Sequence, residues 1–256
     1  MAKALKPVHP NAGLGAAYRK KLDAAVEEMH RSLIYWISAA YRANPPVAAD
    51  ESPASAMRGT MRRLGRRWRK RFDDLAPKLA EYFAQSASER VDRVLSGMLR
   101  DAGFTVRFKM TAAQNDAYQA VIGENVNLIK SIAAKHLSDV ETMVMKSVQT
   151  GRDLGTLTKS LQESYGVTKR RAALIARTQN NMATATLTRV RQKEVGITTA
   201  KWLHSAGGKH PRHEHVAFSG KTYDVQKGAF LEGKWTWPGQ EINCRCVSVP
   251  VVRGFD

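Results

Sequence analysis

RRAALIARTQNNMATATLTRVRQKEVGITTAKW, residues 170–202, is the stretch on which the fold turns. Small and apolar residues recur through it at helical spacing, without a proline, as far as Glu194, and Gly196 supplies the left-handed stop that commonly follows a helix. Immediately afterwards the period changes. ITTAKWLHSA (197–206) alternates its side chains and carries β-branched residues, while GAFLEGKWTWPG (228–239) and CVSVPVV (246–252) add short extended runs bounded by glycine and proline. The spacing predicts a small antiparallel sheet packed against the helix over 170–194.

Upstream, the chain reads as helices. Tyr18, Leu22, Val26, Met29, Leu33 and Ile37 place an amphipathic helix over 16–41, stopped by Asn44, Pro45 and Pro46. The small, polar stretch 47–56 reads as a surface loop, and a second helix is expected from about Ser55 to about Ala76. A third is expected over 77–100, ended by Gly103. FTVRFKM (104–110) alternates apolar and charged residues, which predicts a short strand or an extended connector and marks a candidate hinge. Residues 111–150 read as one or two helices and 151–165 as another short one, with Thr168 capping the helix that Gly196 closes. The predicted class is α+β: a long helical N-terminal part, then a small C-terminal module of helix and antiparallel sheet. A basic helical region would occupy 1–110 and the module 111–256, with helices over 111–195 and a β-rich end over 197–252.

Charge is the compositional outlier. Forty-one Lys and Arg against 23 Asp and Glu give a formal net charge of +18 in 256 residues, a balance that favours polyanions or acidic protein surfaces as neighbours. The densest cluster is Arg58, Arg62, Arg63, Arg66, Arg67, Arg69, Lys70 and Arg71. On a helix these wrap much of the circumference while Met61, Leu64, Trp68 and Phe72 form one apolar stripe, so the segment can pack by one edge and offer guanidinium groups to phosphates or an acidic partner. The competing reading is a solvated helix whose arginines pair with Asp73, Asp74 and Glu81.

No apolar run approaches the roughly 20 residues that span a bilayer, and the N-terminus lacks the compact apolar segment of a secretory signal. A cytoplasmic origin is therefore expected. Cys244 and Cys246 are the two cysteines, and a bridge across one intervening residue would be strained, so they read as reduced thiols. With His204, His210, His213 and His215 they form the one set of side chains able to converge on chemistry. The preferred reading is a hydrogen-bonded core histidine beside buried thiols with no cofactor, ahead of a zinc ion held by His215, Cys244 and Cys246, because two cysteines at that spacing fall on opposite faces if they lie in a strand and can meet one ion only where the backbone turns. A second chemistry would use the histidines as general bases beside Lys209 and Arg212, in a nuclease or toxin-like enzyme acting on nucleic acid. Arg177 and Thr178 read as structural, with Arg177 docking the sheet onto the helix. Trp202, Trp235 and Trp237 read as core and interface aromatics, and Gly220, Pro238 and Gly239 as turn formers.

Taken in order, Ala173, Ile175, Ala176, Arg177 and Thr178, then Gly196 and Trp202, then Arg212, His215 and Gly220, and finally Asn243, Cys244, Arg245 and Cys246 resemble the C-terminal domain of the phage Mu F-like head morphogenesis family, the minor head proteins of tailed phages. The resemblance covers roughly residues 150–252. It implies a non-enzymatic minor capsid protein that binds the portal protein, with major capsid or scaffold proteins and packaged DNA as further partners, during capsid assembly and DNA packaging or ejection. It also implies a place inside the virion near the portal, reached from the host cytoplasm. A basic adaptor bundle with no phage role is the remaining alternative.

Overall fold

The structure, a computed structural model, describes residues 3–43, 52–151, 153–208 and 210–252. Four long helices, α1 (Ala12–Ala43), α2 (Pro53–Asp101), α3 (Ala112–Gln149) and α4 (Leu154–Glu194), follow a two-residue strand β1 (Lys3–Ala4). The remainder is β2 (Thr199–Leu203), a single-turn helix α5 (His213–Ala217), β3 (Thr222–Asp224), β4 (Ala229–Leu231), β5 (Lys234–Thr236) and β6 (Val247–Val252). The α+β class is as the sequence predicts. The Asn44, Pro45, Pro46 stop and the loop residues 47–51 lie outside the described residues.

The helices are fewer and longer than the sequence suggests. Ser52 caps α2 by accepting the Ser55 N–H at 3.2 Å, and Pro53 takes the first helical position, where its missing donor matters least. Pro77 begins nothing; it sits inside α2. An interior proline costs about 3 kcal/mol, but Phe72, Ala76, Leu79, Ala80 and Phe83 carry one buried stripe across it, and that burial outweighs the lost backbone bond. Likewise Thr168 caps nothing. Its hydroxyl bonds back to the Ser164 carbonyl at 3.0 Å in mid-helix, so α4 is continuous from Leu154. Residues 104–110 form the extended connector and no strand. The predicted stops at Gly103 (φ +91°) and Gly196 (φ +74°) both hold. Phe104 N–H reaches Leu99 O and Ile197 N–H reaches Gln192 O, the six-to-one bond of a helix end whose glycine is left-handed.

Two compact units divide the chain: Ala17–Leu79 with Glu124–Ile175, and Met1–Ala16 with Ala80–Gly123 and Ala176–Asp256. Among the described residues, the first holds helices and no strand. Leu22, Met29, Leu33 and Ile37 of α1 are buried, as are Met61, Leu64, Trp68 and Phe72 of α2, Ile129, Ile132, Val140 and Val144 of α3, and Leu157 and Leu161 of α4.

The second unit holds the sheet, in strand order β1-β6-β2-β3 with all pairs antiparallel. Its core gathers Leu95, Leu99, Ile197, Ala200, Trp202, Tyr223, Val225, Cys244 and Cys246. The periodicity of so short a segment does not reveal β1. Leu5 N–H donates to Pro250 O, which puts the nitrogen of Pro250 on the β1 side as well, and a strand with no donor there cannot extend the ladder. β4 and β5 form a separate hairpin closed by Glu232 and Gly233, both at positive φ, the geometry of the tight turn that matches strand twist. No helix is long and apolar enough to cross a membrane among the described residues.

Candidate functional site

The cysteines and His215 meet because three local devices hold them. After β2 the chain returns through α5, whose one turn leaves His213 exposed and turns His215 inward. Gly220 (φ +84°) then sends its N–H to Trp202 O at 2.7 Å, tying the end of this excursion to the middle of β2. On the other side Asn243, at φ +61°, turns the backbone just before the cysteines, so neither lies in a strand; β6 begins at Val247. The opposite-face objection drawn from a two-residue repeat therefore does not apply.

One face of α4 fixes that turn. Arg177 Nε donates to Asn243 Oδ1 at 2.8 Å, Thr178 Oγ1 accepts the Asn243 N–H at 3.2 Å, and Asn181 Nδ2 donates to Cys244 O at 2.7 Å. Residues three and four apart are neighbours on a helix surface, and Asn181 stands four from Arg177 and three from Thr178, which is why 177, 178 and 181 act on one loop. Arg212 donates to Ile242 O at 3.1 Å and pairs with Glu232 at 3.4 Å, and Arg245 donates to Gly207 O. Gly239 approaches closely as well: a Cβ there would lie 3.0 Å from Ala185 Cβ and 3.2 Å from Cys246 O. The family-like residues thus form a clasp between α4, the 204–212 loop and the start of β6.

At the centre, His215 Nδ1 lies 3.6 Å from Cys244 Sγ and 3.7 Å from Cys246 Sγ. All three side chains are buried, and their ligand atoms lie within 4.8 Å of one another. The Trp202 ring packs edge-on against the imidazole with centroids 4.9 Å apart. A hydrogen bond from the Cys246 side chain draws the Cys244 thiol down to about 5 against the opposing effect of burial, helped by the backbone N–H groups of Cys246 and Gly239 and by His215. Cys246 is pushed up by the same bond and by burial.

Both cysteines also line a cavity of about 680 Å³ whose other walls include Arg177, His204, His210, Arg212 and Arg245. Its guanidinium groups suit an anion. His204 Nδ1 accepts the Ala206 N–H at 3.1 Å, His210 and His213 are exposed, and Lys209 lies outside the described residues. As a general base, His215 is poorly placed: its Nδ1 faces two sulfur atoms, and its Nε2 is buried without a hydrogen-bond partner among the described residues.

The arginine-dense helix lies in the other compact unit. Arg58, Arg62, Arg63, Arg66, Arg67, Arg69, Lys70 and Arg71 are all exposed, while Met61, Leu64, Trp68 and Phe72 are buried on the opposite edge. Lys70 pairs with Asp74 at 3.4 Å and Arg71 with Glu28 at 3.7 Å; Asp73 pairs with Lys130 instead. Among the described residues, Arg58, Arg62, Arg66, Arg67 and Arg69 make no ion pair.

The three tryptophans read as core and interface aromatics differ in exposure. Trp202 is fully buried and Trp237 half-buried, with Arg189 stacked 4.1 Å over its ring, but Trp235 is 58% exposed. It stands beside Phe230 on the outward face of the two-stranded hairpin, whose inward face carries Ala229, Leu231 and Thr236. The largest omission is Arg191. Its side chain is 2% exposed and spans Asp92, Glu194 and the Lys109 carbonyl. The available signal was its phase, four residues beyond the buried Leu187 on the same face.

Comparison with known proteins accords with this layout. Residues 138–249 match the family described as Phage Mu protein F like protein, which takes in the whole clasp and the Cys-His cluster. Over 133 residues, 52% of the chain, the sequence is 34% identical to an uncharacterized protein of Haemophilus influenzae. The chain spans 29% of that relative's length. No solved structure gives a significant match.

Proposed function

We propose that the chain is a minor head protein of a tailed phage, acting inside the capsid near the portal, and that the arginine-dense face of α2 is its contact with packaged DNA. The match to the Phage Mu protein F like family supports the head setting. The observation that carries the DNA contact is the set of exposed arginines, Arg58, Arg62, Arg66, Arg67 and Arg69, that make no ion pair among the described residues, on a helix whose opposite edge is buried. Side chains held this way are free to neutralise phosphates at little ordering cost beyond their own rotamers. Portal, major capsid and scaffold proteins are the protein neighbours this setting supplies.

The proposal predicts a steep salt dependence. Each neutralised phosphate on duplex DNA contributes about 0.9 to the slope of log K against log salt. Replacing Arg62, Arg63, Arg66 and Arg67 with glutamine is expected to reduce that slope by about 3.6 in a fluorescence-anisotropy titration, with the thermal midpoint little changed. An unchanged slope rejects the helix as the DNA contact. Degradation of the probe during the titration would instead favour the nuclease reading of the C-terminal histidines.

A further inference from the structure

We propose that His215, Cys244 and Cys246 bind one zinc ion through Nδ1 and the two sulfur atoms, with a water molecule completing the tetrahedron on the side of the adjoining cavity. The inference is independent of the phage-head reading.

Distance carries the argument. Zinc bonds of about 2.0–2.1 Å to imidazole nitrogen and about 2.3 Å to thiolate, meeting at the tetrahedral angle, place nitrogen and sulfur about 3.6 Å apart. The two nitrogen–sulfur separations are 3.6 and 3.7 Å. Thiol–imidazole hydrogen bonds span the same range, so the weight falls on convergence: one imidazole nitrogen and both sulfur atoms lie within 4.8 Å of one another, as a single ion requires. The cluster is also built. Asn243 at positive φ, Asn181 on the Cys244 carbonyl, and Arg177 with Thr178 on Asn243 fix the cysteine backbone, and α5 presents the imidazole. The supporting contacts fall on the cysteine side; on the imidazole side Nε2 carries the ring proton and has no partner among the described residues.

Donor chemistry selects the ion. Two thiolates and one imidazole favour a borderline-soft divalent cation over magnesium or calcium, which take oxygen. The fourth ligand does not come from the nearest cavity imidazole. His204 Nδ1 already accepts the Ala206 N–H, which places the ring proton on Nε2 and removes the lone pair that a metal needs there. His210 is exposed on the same wall. A solvent ligand is left, facing a cavity whose arginines Arg177, Arg212 and Arg245 draw anions toward it.

The full-length chain, purified without chelator from zinc-supplemented cells, is expected to carry about one zinc per molecule by plasma mass spectrometry. Exchanged with cobalt, it should show sulfur-to-cobalt charge-transfer bands with tetrahedral d–d absorption, and added azide should shift those bands through the open position. Cys244→Ser and Cys246→Ser should each lose at least nine-tenths of the metal, and His204→Gln should keep it. Zinc below about a tenth of an equivalent, together with a cobalt titration of the wild type that yields no charge-transfer band, would overturn the site whether or not the serine variants fold. A disulfide between the cysteines in freshly purified protein would overturn it equally. Loss of metal from His204→Gln would reject the three-ligand assignment.

Discussion

Replacing Asp92 with alanine should lower the unfolding free energy by about 3 kcal/mol, the lower end of what breaking a buried ion pair costs, and the thermal midpoint by roughly 10 °C for a chain of this size. Arg191 Nε and Nη2 donate to the two Asp92 oxygens at 2.7 and 2.8 Å, and Nη1 serves Glu194 at 2.8 Å and Lys109 O at 2.7 Å. Its guanidinium also lies 4.8 Å from the Phe108 ring centroid. With Asp92 gone, an arginine whose side chain is 2% exposed keeps its charge and loses its bidentate partner. Because Asp92 itself is 28% exposed, water can replace part of what is lost, which sets the figure at the lower end. The double variant Asp92→Leu/Arg191→Met removes the charge along with its partner and should recover most of the loss. Chemical unfolding of the three proteins tests this: single and double variants of equal stability would mean that the pair does no more than fill space.

The same pair shows what sequence reading reached and what it could not. Helical and strand phases in 170–202 foretold α4, its glycine stop and β2, because both periods are long enough to register against one buried face. The helix count failed at Pro77 and Thr168, where local chemistry argued for a boundary and tertiary burial overrode it. β1 escaped because two residues carry no period, and Asp92–Arg191 escaped because 99 positions separate the partners. For the cysteines, the sequence left open whether the backbone turns between strand and loop, and the structure supplies the turn. In a strand Cys244 and Cys246 would face opposite ways, whereas the left-handed Asn243, secured by Arg177 and Thr178, brings both sulfur atoms to one imidazole. No rule of periodicity gives that bend, since asparagine tolerates positive φ without requiring it.

Acid should weaken the helical unit through His136. Its ring is fully buried, with Thr168 Oγ1 2.9 Å and Ser164 Oγ 3.4 Å from Nδ1; Thr168 donates its own proton to Ser164 O, and placing the ring hydrogen on Nδ1, toward these oxygens, leaves the unpartnered Nε2 a bare acceptor and not a buried donor. Nε2 has no partner among the described residues, and protonation would create a buried N–H with nowhere to donate. Burial first, and then the neighbouring His30, bring the pKa down from 6.5 to about 4 against the opposing pull of Asp139. His30, stacked at 4.2 Å on Tyr165 and hydrogen-bonded to Gln162, is lowered as well, chiefly by burial. A depressed folded-state pKa means that the unfolded chain takes the proton first. The stabilisation is thus complete above about pH 6.5 and is lost as the pH falls toward 4. For His136 alone the loss between about pH 7 and pH 5 comes to about 2 kcal/mol, before most carboxylates titrate. Urea unfolding across that range should show the wild type losing about 2 kcal/mol more than His136→Leu, which is free of the linkage whatever its starting stability. Parallel pH profiles for the two proteins would mean that the buried imidazole accepts a proton without penalty, and the account of Nε2 would be wrong.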